Sequence, residues 1–453
     1  VRVETEVARF FLEKEPSFYQ FCRFAKFRNA YYPVRREEVI EKLEFLANLI
    51  GSSQDAEQGP VQMADANVSI EDQGMRRMPP LRSLADRTVK AIKAPVVTLV
   101  IATYEGIHSI KGYFVSQGSK AARTLRQFLG SPRTTDSEMV QPDLVCPFHK
   151  DDVYISVGMD WEHKDWTYFE KLRASLDLKS LLCCYDLIPI KTPGLTTQHV
   201  AERFPGYILS LARSADKIMC ISRTTKSDLD SFLVQSGQPA THSEVFYLGT
   251  DLPSHSVDQS PSSAAKEVID HGRFIMLVST IERRKGHDTL YRAYQRLIDQ
   301  EHSELPLLVF VGMPGWGVDD LLADIKITKR VAKHIRFLSH VSDGDLSLLY
   351  RHCLFTVFPS VYEGWGLPVS ESLTHGKFCL ASNAASIPEA GGEFCEYLDP
   401  WNVALWVERL AFYFTHQDVL TVRESHILKH YKPHTWLDAA SNIVSAAETM
   451  QTS

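Results

Sequence analysis

From Leu354 to Gly376 the chain reads L-F-T-V-F-P-S-V-Y-E-G-W-G-L-P-V-S-E-S-L-T-H-G. An apolar run, Leu354–Phe358, is followed by two glycines, Gly364 and Gly366, and then by Pro368. That order predicts a buried strand, a glycine-rich turn and a helix that starts at the proline, because proline lacks the N–H that a first helical position leaves unpaired. Gly376 is placed to stop the helix. Two carboxylates, Glu363 and Glu371, flank the turn eight positions apart. Backbone N–H groups and the positive end of the helix dipole beside the glycines suit a phosphate. The carboxylates suit hydroxyl groups on whatever carries it.

The C-terminal half repeats this strand-then-helix order. Strands are expected at 274–279, 307–312, 335–338, 354–358 and 378–381, with helices at 287–299, 318–329 and 343–352 between them. Short connections and strict alternation mean a parallel sheet with helices on both faces. Ligands in such sheets bind beyond the carboxyl ends of the strands. Two further motifs lie at such ends. Ser279-Thr-Ile-Glu-Arg-Arg-Lys-Gly286 sets three adjacent cations between a strand and a helix, which suits a diphosphate or a solvated basic turn. Gly312-Met-Pro-Gly-Trp316 permits close backbone approach to a ligand, or is a tight turn anchored by Trp316. Asp343-Gly-Asp345 has a D-x-D metal-binding spacing, but Ser342 or Asp343 reads better as the N-cap of the helix before Leu346.

The N-terminal half predicts strands at 97–102, 153–157, 180–185, 217–221 and 244–248 and helices at 164–175, 199–215 and 226–235. These suit a second Rossmann-like unit. Residues 51–92 are different. Their first half is polar and apolar-poor, which reads as a flexible loop. The second half is basic and reads as a solvated helix, or as a segment that meets a membrane surface or a bound substrate. Apolar positions Trp436, Ala439, Ile443 and Ala446 recur at helical spacing in a last helix.

A chain of 453 residues exceeds what one core usually holds, so two or three domains are expected. The net charge of −7 argues against nonspecific nucleic-acid binding. No apolar run reaches the ~18 residues of a membrane span. The eight cysteines contain no C-x-x-C pair and mostly sit in strand-like apolar runs, which reads as buried reduced thiols in a cytoplasmic protein. The seventeen histidines form no clustered ligand set, so a structural zinc is not expected. The first residue is valine inside a helix-like segment, which implies a natural N-terminus further upstream.

The glutamate stretch resembles the retaining nucleotide-sugar glycosyltransferases of family four (group 1 glycosyltransferases), whose signature is two glutamates separated by seven residues. P-S-x-Y-E-G-x-G-L-P and A-S-N-x-x-S-I-P-E around it also match. The cation turn is similar to that family's T-I-E-x-R-K turn, with Arg283 where proline is common and Thr280 where many relatives carry another arginine. Gly312–Trp316 is similar to its V-G-x-x-G-W element, and residues 337–346 to the stretch that holds the nucleotide base near Val341. Residues 155–161 (I-S-V-G-M-D-W) and 183–190 (C-C-Y-D-L-I-P-I) resemble acceptor-side loops, with Tyr185 where histidine is frequent.

The resemblance implies a GT-B fold. Its expected units are an N-terminal acceptor-binding domain over 1–250, a C-terminal nucleotide-sugar-binding domain over 251–430, and a final segment, 431–453, that crosses back onto the N-terminal domain. It implies Glu363, Lys285, Arg284 and Asp186 as catalytic residues. Glu371, Gly364, Trp365, Gly366, Leu367, Thr280, Gly312 and Val341 would contact the donor, and Asp160, Trp161 and Tyr185 the acceptor. Glu363 would hold donor sugar hydroxyls, Glu371 the ribose, and Arg284 with Lys285 the leaving diphosphate. The implied reaction moves a hexose from GDP-mannose or a UDP-sugar, with retention and without metal or other cofactor, to a glycan or lipid-linked glycan of a surface polysaccharide. Such a mannosyltransferase-like enzyme would work in the cytoplasm or at the inner face of the membrane. The competing readings are a GT-B epimerase or phosphorylase and a noncatalytic sugar-nucleotide-binding module of a larger polymerase.

Overall fold

The computed structural model describes residues 19–25, 30–41, 43, 97–100, 148–158, 161, 164–250, 261–302 and 305–451. The segment 51–92 lies outside the described residues. The first sheet is built from β1 (Tyr19–Ala25), β2 (Ala30–Val34), β3 (Val97–Val100), β4 (Val153–Ser156), β5 (Lys179–Cys184), β6 (Lys217–Cys220) and β7 (Ser243–Val245). Helices α1 (Trp166–Leu176), α2 (Ile188–Lys191), α3 (Gln198–Ser214) and α4 (Arg223–Gln235) lie between its later strands. The spatial order is β2-β1-β3-β4-β5-β6-β7, parallel except for the antiparallel β1–β2 edge.

After α5 (Ser263–His271), the second sheet alternates β8 (Phe274–Val278), α6 (His287–Asp299), β9 (Leu307–Val311), α7 (Asp319–Ile327), β10 (Ile335–Leu338), α8 (Asp343–His352) and β11 (Thr356–Phe358). It continues through α9 (Leu367–Thr374), β12 (Cys379–Ser382), α10 (Ile387–Gly391) and β13 (Glu396–Leu398). The chain then runs through α11 (Val403–Thr415), α12 (Gln417–His430) and α13 (Trp436–Gln451). The sheet order β10-β9-β8-β11-β12-β13 is fully parallel, and the direction of winding reverses between β8 and β11. The crevice at such a switch point is where doubly wound sheets bind ligands. Both loops that carry the glutamates and cations leave from those two strands.

The period-two alternation of each strand sorts its side chains onto two cores. In the second sheet Ile275 and Leu277 face one core, and Phe274 and Met276 the other. In the first sheet Tyr154, Leu182, Cys184, Ile218 and Cys220 meet Phe169, Phe204, Ile208, Leu211 and Leu229 of α1, α3 and α4. Its other face, with Val153, Ile155, Leu181, Cys183 and Met219, is covered by Trp436, Ala439, Ala440, Ile443 and Ala447 of α13. The helix is polar-tied as well. Lys217 is buried and its Nζ reaches Glu244 at 2.9 Å, Thr449 Oγ1 at 3.2 Å and the Ala446 carbonyl at 3.4 Å.

Six cysteines, Cys183, Cys184, Cys220, Cys353, Cys379 and Cys395, are free and buried in these strands and their flanks. Among the described residues no helix is long and apolar enough to cross a membrane.

Because one face of the first sheet is closed by a helix from the far end of the chain, Trp436→Ala should destabilise the N-terminal half. Trp436 is 5% exposed. A cost of about 3–5 kcal/mol is expected for emptying a buried tryptophan site. Urea unfolding monitored by far-UV circular dichroism checks it, and an unchanged midpoint would show that α13 does not support that sheet.

Candidate functional site

The loop after β8 and the loop after β11 are stitched to each other by backbone. Val361 N donates to the Arg284 carbonyl at 2.8 Å. Gly286 has φ +75°, and a Cβ there would stand 2.3 Å from the Pro359 carbonyl oxygen. Glycine is needed at that position for both reasons. Arg283–Lys285 form a single 3-10 turn that sends the three cations different ways. Arg283 points outward, to the Gly317 carbonyl at 2.9 Å and Asp320 at 3.0 Å. Arg284 and Lys285 point inward, to the same carboxylate. Glu363 accepts from Lys285 Nζ at 2.7 Å, lies 2.9 Å from Arg284 Nη1 and accepts from Ser360 Oγ at 2.5 Å. Arg284 also donates to the Tyr362 carbonyl at 2.5 Å.

Burial pushes Glu363 up, but Lys285 and then Arg284, with the hydrogen bonds from Lys285 and Ser360, outweigh it and hold the carboxyl below its usual range. Desolvation works against the Arg284 charge, and Glu363 more than restores it, so the guanidinium is raised.

Glu371 lies one turn into α9 and is 6% exposed. Its Oε2 accepts from Tyr350 OH at 3.1 Å, and Tyr350 stacks on His375 with ring centroids 4.8 Å apart. Gly366 has φ +123° and no side chain caps the start of α9, so the helix N-terminus opens at the glycine turn as the spacing predicts. Gly312 has φ +154°, and a Cβ there would stand 2.0 Å from the Ser279 carbonyl oxygen. This close packing joins the β9 loop to the cation turn, with Ile281 N donating to the Met313 carbonyl at 2.9 Å. Thr280 is exposed beside Gly315. Val341 packs partly under β9 and β10, just before the Ser342 N-cap, whose Oγ accepts from Asp345 N at 3.1 Å. Asp345 is itself engaged, accepting from Ser262 N at 3.0 Å.

Two of the expected donor-side residues have side chains that pack elsewhere. The Trp365 ring turns away from the glycine turn and stacks on Tyr247 at 4.9 Å, inside the core that α13 closes. The Leu367 side chain packs against that same core. Both residues reach the glycine turn through backbone alone, because their apolar side chains are drawn to the core of the first sheet.

From the first sheet, Asp186 follows β5 and its Oδ1 accepts from Ile188 N at 3.0 Å, which opens α2. Gly364 backs directly onto it. A Cβ at Gly364 would lie 2.3 Å from the Tyr185 carbonyl oxygen and 2.9 Å from Asp186 Cβ. Asp186 and Glu363 therefore meet across the junction of the two sheets. Burial raises the Asp186 carboxyl above its usual range, and Glu363 adds to this, while the Ile188 N–H, Arg284 and Lys285 pull it down without cancelling the shift. Beside it lies a cavity of ≈ 260 Å³, lined by Trp161, Tyr185, Asp186 and Phe204 on one side and by Arg284 and Trp316 on the other. The Tyr185 hydroxyl itself is turned to the Val157 carbonyl. Asp160 lies outside the described residues.

The sequence reading passed over Tyr350, Tyr362, Thr225 and Glu389, all of which touch this assembly. Only Tyr362 and Glu389 carry a local motif signal, within the P-S-x-Y-E-G-x-G-L-P and S-I-P-E matches. It also passed over an H-x-x-x-H spacing on α12, where the His426 and His430 rings lie 4.7 Å apart. Among the described residues no group of three or more metal-capable side chains gathers there or elsewhere.

The family model for glycosyl transferases group 1 matches residues 259–409, the stretch that carries every second-sheet residue named above. Curated relatives of the chain include the serotype-specific mannosyltransferase WbdA of Escherichia coli, 27% identical over 278 residues, or 58% of this chain and 33% of WbdA. The O-antigen chain mannosyltransferase B of Escherichia coli is 31% identical over 168 residues, 37% of this chain and 39% of that protein. The match thus spans about a third of the length of these curated relatives. Among solved structures, Anabaena HepE in complex with UDP-glucose superposes with TM-score 0.51 at 13% identity, covering 78% of this chain and 92% of HepE. An α,α-trehalose-phosphate synthase (UDP-forming) from Burkholderia xenovorans superposes with TM-score 0.51 at 13% identity, covering 66% and 73%. The fold is GT-B, two Rossmann-like sheets that meet at the Asp186–Glu363 junction.

The raised Asp186 carboxyl yields a pH-dependent prediction. A carboxyl whose folded pKa is raised costs stability when ionised, and the cost disappears as pH falls through that pKa. Asp186→Asn keeps an acceptor for Ile188 N and removes the charge. The variant should melt higher than the parent at pH 7, and the difference should shrink as pH is lowered into the acid range. Thermal melts across pH check this, and a variant that melts lower at neutral pH would contradict it.

Proposed function

We propose that the chain transfers a hexose from a nucleotide diphosphate sugar to a glycan or lipid-linked glycan, with retention at the anomeric carbon. The observation that carries this reading is the buried Glu363 paired with both Arg284 and Lys285 at the switch point of the second sheet. Two cations and an uncapped helix N-terminus converge on one crevice, where a diphosphate would find its charge matched. Glu363 would take the donor sugar's hydroxyls, and Glu371, one turn further along α9, the ribose hydroxyls. The names of the WbdA and O-antigen relatives support mannose as the sugar and GDP-mannose as the first donor to test, ahead of UDP-sugars, and a surface polysaccharide as the product.

In the transfer step the bond between the anomeric carbon and the diphosphate oxygen breaks, and its electron pair leaves with the diphosphate. Negative charge grows on that oxygen, beside Arg284 and Lys285, which is where fixed cations accelerate a reaction. The acceptor hydroxyl attacks from the same face, and its proton passes to the departing phosphate oxygen. Neither glutamate acts as a nucleophile, in contrast to the paired carboxylates of retaining glycosidases. Asp186 and the aromatic cavity of Trp161, Phe204 and Trp316 would hold the acceptor sugar. Arg284 and Lys285 would serve in place of a divalent ion. The work would be done in the cytoplasm, with peripheral contact to the inner membrane face where the acceptor is lipid-linked.

Calorimetry with GDP, UDP and their sugars separates the roles. Glu371→Ala should weaken binding of the bare nucleotide. Glu363→Ala should spare the bare nucleotide and impair the sugar nucleotide. Lys285→Ala should weaken both and slow transfer by ~10²–10³-fold, the usual loss for one electrostatic group. Loss of bare-nucleotide binding in Glu363→Ala would show that the two glutamates are wrongly divided.

Transfer should also survive excess EDTA, and the product should keep the donor's anomeric configuration by NMR. An inverted product, or activity that EDTA abolishes and manganese restores, would overturn the mechanism.

A further inference from the structure

Helix α4 belongs to the first sheet, yet its first two turns are held by the second. Glu389 of α10 places both carboxylate oxygens on the helix start. Its Oε2 accepts from Arg223 N at 2.8 Å, and its Oε1 from Thr224 N at 2.8 Å and Thr224 Oγ1 at 2.7 Å. The Arg223 side chain adds an ion pair at 3.4 Å. An anion at a helix N-terminus satisfies unpaired N–H groups and meets the positive end of the dipole. Here that anion comes from the other sheet.

The next residue lies between the two halves of the site. Thr225 is 1% exposed, and its Oγ1 stands 3.4 Å from the Tyr185 carbonyl oxygen and 3.3 Å from the Gly364 carbonyl oxygen. Those carbonyls belong to the residue before Asp186 and the residue after Glu363. Ser222 Oγ donates to Thr225 Oγ1 at 2.9 Å, which leaves the threonine proton to be shared by the two carbonyls. One turn further on, Asp228 accepts from Tyr362 OH of the glutamate loop and pairs with Lys191 of α2 at 2.9 Å.

We propose that the start of α4 is a clamp that sets the gap between Asp186 and Glu363, with Glu389 and Thr225 as positioning residues for sugar transfer. The proposal rests on the function proposed above. Neither residue lies within hydrogen-bonding distance of Arg284, Lys285 or the Glu363 carboxylate, so neither binds the donor in this reading. Their effect is on the alignment of donor and acceptor, where a displacement of about 1 Å can cost ~10²-fold in rate.

The test uses Glu389→Ala, Thr225→Val and Thr225→Ser in the full chain, each checked for parental secondary structure by circular dichroism. Turnover is read as GDP release from GDP-mannose with a manno-oligosaccharide acceptor, bare GDP affinity by calorimetry, and overall size by small-angle X-ray scattering. Glu389→Ala and Thr225→Val should keep GDP affinity within about twofold and lose kcat by ~10²-fold. Thr225→Ser, which keeps the hydroxyl, should return to the parental rate, and Glu389→Ala should scatter with a larger radius of gyration. Parental turnover in both variants, or a loss of GDP affinity as large as the loss in rate, overturns the clamp. If the parent itself releases no GDP or UDP from any sugar nucleotide, it is the transfer reading that fails. Scattering then decides the clamp alone, and an unchanged radius in Glu389→Ala overturns it.

Discussion

A carboxylate taken out of water is stable only where cations and hydrogen-bond donors replace the water, and Glu363 has two of the first and one of the second. The arrangement of the site follows from that requirement. To reach Glu363, Arg284 and Lys285 must leave the β8 strand in a tight turn, which places Gly286 against Pro359 and locks the two loops backbone to backbone. The turn in turn forces Arg283 outward. Removing one member of such a buried group commonly costs about 3–5 kcal/mol, because it strands the others. In the proposed reading, a diphosphate that entered the crevice would share cations already fixed in this way, so donor binding and loop order would be one equilibrium.

Much of the second sheet was legible because its signals are local. Helices 287–299 and 343–352 and strand 335–338 have the bounds read from the sequence. Each helix start has a residue that defines it, Gly286 with its positive φ and Ser342 with its capping hydroxyl. The glycine turn between the glutamates is as expected, and so is its open helix N-terminus. The division of labour among Arg283, Arg284 and Lys285 was legible only through the family resemblance, which names the last two, and not from the residues themselves. Three adjacent cations look alike in a string, and only the pitch of a 3-10 turn separates them.

What the sequence hid has a common cause, contact between residues far apart in the chain. Glu389 meets Thr224 across 165 positions, and no spacing rule reaches that far. The resemblance implies Trp365 as a donor contact, and no local pattern tells that its ring completes a core made by the other sheet. Asp186 is singled out in the sequence only by the resemblance, and no local pattern tells that Gly364 packs against it. The absence of a side chain at Gly364 matters here, since any Cβ would wedge the two halves of the site apart.

The placement of α13 bears on how the chain acquires its shape during synthesis. The second sheet is assembled from strands and helices that follow one another closely, and both of its cores come from residues between 268 and 427. It can close as soon as that stretch has left the ribosome. The first sheet, although made earlier, keeps Val153, Ile155, Leu181 and Met219 without their main cover until α13 emerges. The earlier-made half therefore finishes later, with an apolar face open until α13 is made. Closing it brings α13 back to strands made long before it, the kind of long-range contact that makes folding slow and exposes intermediates to aggregation.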